Sequence, residues 1–309
     1  MPGVHGLHHV TCIAGDAQEN LDFYTKVMGL RLVKKSINQD APDTYHLFFA
    51  DSAGSPGTDL TFFPWPGMGP GRLGHGLTNE VSFAVAKGSL DWWKTWLKDF
   101  GVHLSPEEKR FGERTIPFAD PHGLAMALVE VDAPAKTVPW EKSPVPAQHQ
   151  LRGFHAVRTW ERDIEPTAKL LTGPMGLTKV GEENGWHRYG VKGASGTLIE
   201  LKSYPEERRG SWGVGSIHHV AWRVTDSDHE LAVRQAVRDF GTNTTEQIDR
   251  FWFTSVYFKE PGGALFELAT DGPGFGRDED PAHLGETLVL PPWFEARRSE
   301  IEAGLPRLK

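Results

Sequence analysis

The chain has 309 residues, enough to bury one large core or two ordinary ones without disulfide or zinc staples. Its 33 Lys and Arg are scattered among 41 Asp and Glu, a formal charge of -8 that argues against a nucleic-acid partner. One cysteine, Cys12, excludes an intrachain disulfide and a thiolate finger, and no stretch reaches the ~18 apolar residues of a membrane span, so a cytoplasmic protein without membrane contact is expected, with Cys12 a small core residue.

Four segments repeat one order: an opening strand, an amphipathic helix ended by glycine, then two or three strands. The first opens with Leu7-His8-His9-Val10-Thr11, continues into a helix that turns Leu21, Phe23, Tyr24 and Val27 inward, and stops near Gly29. Its further strands carry Tyr45-His46-Leu47-Phe48-Phe49 and Leu60-Thr61-Phe62-Phe63. The second opens at Val81-Ser82-Phe83-Ala84-Val85, spaces Trp93, Trp96, Leu97 and Phe100 as a helix before Gly101, and closes over 124–129. Aromatics at that spacing read as core rather than as a cofactor box, which would need polar partners.

Pro134, Pro139, Pro144 and Pro146 make residues 132–151 a linker, since neither helix nor inner strand tolerates them. The third repeat carries Phe154-His155-Ala156-Val157, a helix around Ala168 to Leu171, and strands at Trp186 to Tyr189 and Gly196 to Glu200. The fourth opens at His218-His219-Val220, turns Leu231, Val233, Val237 and Phe240 inward on a helix stopped by Gly241, and closes through Val256-Tyr257-Phe258 to Glu267. The expected class is α+β, with four βαβββ modules forming two paired-module domains. These are 1–131 and 152–271, joined by the linker and followed by a tail, 272–309, partly helical around Trp293 to Ala303.

Aligning the modules on one another isolates the chemistry. The opening-strand position holds His9 in module one and His219 in module four, against Glu80 in module two and Ala156 in module three. The closing-strand position holds Glu267 in module four and Glu200 in module three, against Thr61 and Ala127. His9, His219 and Glu267 are therefore the set that offers two imidazoles and a carboxylate, and using them requires modules one and four to pair. Such a set can occupy one face of a ferrous ion and leave the other face open, which suits an oxygenase. A lone carboxylate in the apolar strand Leu265-Phe266-Glu267-Leu268 would be costly without a cation nearby. Glu80, Glu200, His155 and His187 are read as structural.

The closing segment, Val256-Tyr257 followed by Glu260-Pro261, Gly263 and Glu267, resembles the signature of the extradiol ring-cleaving dioxygenases of the vicinal oxygen chelate superfamily. The resemblance implies a glyoxalase/bleomycin resistance/dioxygenase fold, a catalytic Tyr257 and Glu267 as the carboxylate ligand. Catechol-cleaving members carry a His where this chain has Arg250, so the chain is most similar to the hydroquinone-cleaving branch. That branch implies Fe(II) held by His9, His219 and Glu267, with a small aromatic diphenol and dioxygen as partners and an open-chain acid as product. It implies charge stabilisation by Arg250, and it makes Thr11, His8 and His218 similar to residues packed behind the ligands, where a histidine can move protons. On a flat strand His8 and His218 point away from their neighbours, so a direct role needs a bulge. Mn(II) suits the same ligands, and the composition is compatible with a homo-oligomer. Extradiol catechol cleavage, a glyoxalase-type lyase with Thr61 in place of its second carboxylate, and a metal-free binding protein are the alternatives.

Overall fold

The computed structural model describes residues 2–309. Module one comprises β1 (Leu7–Ala14), α1 (Ala17–Asp22), β2 (Arg31–Asn38), β3 (Ala41–Ala50) and β4 (Asp59–Pro64). Module two comprises β5 (Leu77–Ala86), α2 (Leu90–Asp99), β6 (Glu108–Arg110), β7 (Glu113–Ala119) and β8 (Ala125–Val131). Module three comprises β9 (Phe154–Glu161), α3 (Ile164–Thr172), β10 (Thr178–Glu183), β11 (Trp186–Gly190) and β12 (Leu198–Ser203). Module four comprises β13 (Ile217–Val224), α4 (Ser227–Asp239), β14 (Ile248–Asp249), β15 (Thr254–Lys259) and β16 (Leu265–Thr270). The tail turns through three short 3-10 segments into α5 (Arg298–Gly304).

The strands form two eight-stranded sheets. One runs β14-β15-β16-β13-β1-β4-β3-β2 and the other β10-β11-β12-β9-β5-β8-β7-β6. Module one thus pairs with module four and module two with module three, as the ligand set requires. The two halves of the chain, 1–131 and 152–271, are therefore not the two sheets, because each sheet takes one module from each half. Residues 132–151 form no helix or strand and run along module one, where Val138 N–H donates to Asp51 and Ser143 Oγ to the Gly29 carbonyl. Among the described residues no helix is long and apolar enough to cross a membrane.

Trp93 and Leu97 on α2 and Val233 and Val237 on α4 are fully buried, each stabilising the core by about 1.5–3 kcal/mol. Phe100, Leu231 and Phe240, expected inward, are instead 47%, 41% and 39% exposed. Phe100 and Phe240 sit one residue past their helices, beyond the core stripe. Leu231 lies off the Glu230-Val233-Val237 face, which buries a glutamate where the pattern favours a leucine. The first helix is regular only to Asp22, and a π turn over Phe23–Val27 carries it to Gly29, whose φ of +71 suits glycine.

Candidate metal centre

The site lies where β1 and β13 run antiparallel in the middle of their sheet. Val10 faces Val220 there, His9 faces Ala221 and Thr11 faces His219, so modules one and four meet about a local twofold. The ladder slips twice. Leu7 pairs with Trp222 but His9 with Ala221, leaving His8 as an extra residue; Thr11 pairs with His219 but Cys12 with Ile217, leaving His218 as another. These are the bulges that turn both flanking histidines toward the site.

His9 Nε2 lies 3.2 Å and His219 Nε2 2.9 Å from Glu267 Oε2, and the two nitrogens are 3.4 Å apart. All three residues are buried, and among the described residues they are the group of His, Cys and acidic side chains with ligand atoms close enough to share an ion. The hydrogen bonding behind them decides which atoms are bare. His8 Nε2 is 3.1 Å from the Thr270 carbonyl, which only accepts, so Nε2 carries the His8 proton. Its Nδ1 then accepts from His9 Nδ1–H at 2.9 Å, which turns His9 Nε2 to the carboxylate, where it can take a proton or a metal ion; burial opposes a charge on His9, but the Glu267 carboxylate overrides it and raises its pKa. His218 Nδ1 lies 2.8 Å from His219 Nδ1 and backs it. Burial, followed by the charge on the adjacent ligand ring, pushes His8 and His218 down to about 3, so both backing rings are neutral.

Glu267 Oε1 accepts from Ser255 Oγ, but its buried Oε2 receives no hydrogen bond. Burial alone would raise the carboxyl, yet the two imidazoles hold it well below the usual carboxylate range. The anionic oxygen and the ring nitrogens need a cation between them, either a proton on His9 or a metal ion. Cis donors on an octahedral ion with bonds of about 2.1 Å stand about 3 Å apart, which the observed spacings match. The donors present therefore fit a divalent metal, and their N2O set suits Fe(II) or Mn(II).

His9 and His219, with Glu267 buried behind them, lie at the floor of a cavity of about 500 Å³ walled by Phe48, Phe63, Trp65, Trp252, Phe253 and Leu265. Tyr257 pairs across from Glu267, its ring edge-on to His219 at 5.7 Å, and burial raises its hydroxyl. Arg250 sits 5.3 Å from the Tyr257 ring and donates to both oxygens of Asp40 at 3.2 and 2.9 Å. The turn that presents Arg250 holds Phe251 at a φ of +76, an arrangement that costs about 1–3 kcal/mol. Asp249 Oδ1 takes the Phe251 N–H, and Arg277 from the tail donates to its carbonyl and covers its ring at 4.2 Å. Asp278 holds the Trp252 indole and meets buried Lys34 at 2.8 Å. The tail is thus a brace for the cavity wall.

Of the residues singled out from sequence, His9, His219, Glu267, Tyr257, Arg250 and His218 meet at the floor or line the cavity. His8 lies behind His9, and Thr11 turns its hydroxyl to Thr61 Oγ1 at 2.7 Å. Sequence reasoning missed Ser255, Asp40 and His46, which bonds Thr61 Oγ1 at 2.8 Å and lines the cavity. Extending the module alignment to the third strand would have exposed His46 and Ser255. Asp40 carries no such signal, since its role comes from a hairpin tip reaching Arg250. In the second sheet Glu80 pairs with Arg110, Glu200 with Arg158 and Arg188, His155 with Glu113, and His187 lies 3.6 Å from Glu182.

Comparison with known proteins gives a consistent picture. A model of the Glyoxalase/Bleomycin resistance protein/Dioxygenase superfamily matches residues 6–128. The chain is 42% identical over 301 residues to MhqO of Bacillus subtilis (strain 168), named as a candidate ring-cleaving dioxygenase, covering 97% of this chain and 95% of that one. It is 34% identical over 305 residues to a chlorohydroquinone/hydroquinone 1,2-dioxygenase of Sphingobium indicum, covering 96% and 95%. A crystal structure of a candidate dioxygenase from Bacillus subtilis superposes with a TM-score of 0.95 at 40% identity, covering 99% and 98%. Glyoxalase I from Zea mays, at a TM-score of 0.63 and 16% identity over 86% and 92%, shares the fold.

Proposed function

The chain belongs to the glyoxalase/bleomycin resistance protein/dioxygenase superfamily, and from that premise we propose that it is an Fe(II)-dependent dioxygenase that opens the ring of a hydroquinone-type diphenol, inserting both atoms of O2 to give an open-chain acid. The observation that carries the reading is the convergence of His9 Nε2, His219 Nε2 and Glu267 Oε2 beneath an aromatic cavity that both histidines line. When bound, a ferrous ion supplies the meeting point of diphenol oxygen and dioxygen. The aromatic walls hold the ring and exclude water, so the reactants meet in one orientation.

Arg250 keeps its proton at any working pH and stabilises negative charge that develops on oxygen, while its pair with Asp40 fixes the guanidinium above Tyr257. The Tyr257 hydroxyl, held protonated by burial, donates a hydrogen bond to the reacting oxygen. His8, locked between His9 and the Thr270 carbonyl, orients a ligand and moves no proton. His218 lines the cavity with its ring stacked on Trp212 at 4.4 Å, and of the two bulged histidines it is the one placed to exchange a proton with substrate. Thr11 supports the wall through Thr61. A reducing, cytoplasmic setting suits a ferrous site and a chain whose one cysteine is buried.

The rival readings meet specific obstacles. A glyoxalase-type lyase would draw a further ligand from Thr61, whose hydroxyl is occupied by Thr11 and His46. A metal-free binding protein must balance the Glu267 charge with a proton on His9, at the cost of a fully buried ion pair. Catechol cleavage lacks a histidine at the Arg250 position. Oxygen uptake after anaerobic loading with Fe(II), on hydroquinone, methylhydroquinone and catechol, tests the assignment. Hydroquinone-dependent uptake lost in His219→Ala is the expected result; uptake with catechol alone, or with no diphenol, refutes it.

A further inference from the structure

One polar side chain of the cavity has no part in the reading above. His46 stands on β3, and the local twofold of the first sheet matches its place to an occupied one. Across β15 and β16, Tyr257 faces Glu267, and Ser255, two residues before Tyr257, bonds the carboxylate. Across β3 and β4, Phe48 faces Thr61, and His46, two residues before Phe48, bonds the Thr61 hydroxyl. Module one thus carries a neutral corner, His46-Thr61-Thr11, where module four carries the acidic one. The imidazole is clamped on Phe48 and Phe63 at 3.8 and 4.5 Å between centroids, so its direction is set. With Nε2 engaged by Thr61, Nδ1 has no protein partner and is not sealed from the cavity that His46 lines.

Both threonine hydroxyls can turn, so either tautomer of His46 is satisfied: Nδ1 accepts when Nε2–H donates to Thr61, and donates when the Thr61 hydroxyl points at Nε2. Each neighbouring polar group of the wall already has a protein partner. Gln39 and Asp40 bond Arg250, Asn38 takes the Asp40 N–H, and Thr245 takes the Tyr257 N–H. His46 lies outside the group of three ligands, so it addresses the substrate rather than the ion.

We propose that His46 Nδ1 holds the second hydroxyl of a diphenol whose first hydroxyl sits at the His9-His219-Glu267 centre. The inference rests on the ring-cleaving reading of the same site. Aromatic walls would strand the second hydroxyl, and a neutral imidazole able to donate or accept satisfies it.

The test is anaerobic titration calorimetry of the Fe(II)-loaded protein with hydroquinone and with phenol, which lacks the second hydroxyl. In the native protein hydroquinone binds more tightly than phenol. His46→Leu is expected to weaken hydroquinone about tenfold or more and leave phenol unchanged, with KM for hydroquinone rising more than kcat falls. His46→Gln, a polar replacement that guards against misfolding of the first, is expected to lose about threefold or more on hydroquinone alone. Equal weakening of both ligands in either variant, or an undiminished preference for hydroquinone, overturns the assignment of His46 and leaves the diphenol reading standing. A native protein without preference for hydroquinone over phenol overturns the diphenol reading and this inference with it.

Discussion

Replacing Glu267 by Gln separates a metal centre from a buried polar cluster. The carboxylate is fully buried, and its Oε2 lies 2.9 and 3.2 Å from two imidazole nitrogens without a hydrogen-bond donor. A ligand that binds only the folded chain stabilises it by about 2.7 kcal/mol at a free concentration 100 times its Kd. For a chain of 309 residues that corresponds to a rise in Tm of roughly 4 °C. Glutamine offers one neutral oxygen in place of an anion; if affinity falls 100-fold, the same metal concentration stabilises by only about 0.4 kcal/mol and Tm moves by about 1 °C. Without metal the variant should be at least as stable as the native chain, because an isosteric replacement removes a buried charge. Anaerobic calorimetric scans with and without Fe(II) or Mn(II) read both quantities. An equal metal-induced rise in native and variant protein, or none in the native protein, would refute the metal-centre reasoning.

Arg250→Met should lower kcat on the accepted diphenol by roughly 10²–10³-fold while leaving the metal-induced rise in Tm intact, because the guanidinium faces the cavity and not the ligands. Removing the His9 backing partner in His8→Leu should weaken metal affinity about 10–100-fold, measured by competition with a chelator, and an unchanged affinity would sink the tautomer argument. Glu161 is buried with neither oxygen hydrogen-bonded, and burial followed by the Glu260 charge pushes its carboxyl up to about 9. The folded chain therefore holds a proton that the unfolded chain releases above about pH 4.5, and stability falls as pH rises from there toward 9. Glu161→Gln should flatten that slope and gain at least about 1 kcal/mol in urea melts at pH 9, with little difference at pH 5.

Much of this architecture is legible in period and punctuation. The four helices are followed by glycines with positive φ at Gly29, Gly101, Gly176 and Gly241, and the ligand positions emerge from comparing one module with another. Such comparison works because each module repeats one local structure, and it also demands the pairing of module one with module four. The bulges at His8 and His218 are less legible, since a one-residue slip in a ladder leaves no compositional mark. The same holds for Glu230, whose burial depends on Gln247 and Thr254 bonding its carboxylate from another part of the chain. Helix periodicity knows nothing of those partners, so it favours Leu231 for the core.

Among the described residues the candidate metal cluster lies in the first sheet, and the second sheet shows what its matching positions hold instead. Glu200 holds the register of Glu267, and Glu80 that of His9, so carboxylates remain at both positions. The deciding difference lies beside them. Ala221 faces Glu267 in the first sheet and leaves room between the ligands, whereas Arg158 faces Glu200 in the second and lays its guanidinium on that carboxylate at 2.6 Å. Arg110 and Arg188 neutralise what is left. A covalently tethered cation there balances the charge that a free ion would otherwise balance, and it cannot offer an open coordination position. Chemistry is thereby confined to the sheet that kept a small residue opposite its carboxylate and imidazoles beside it.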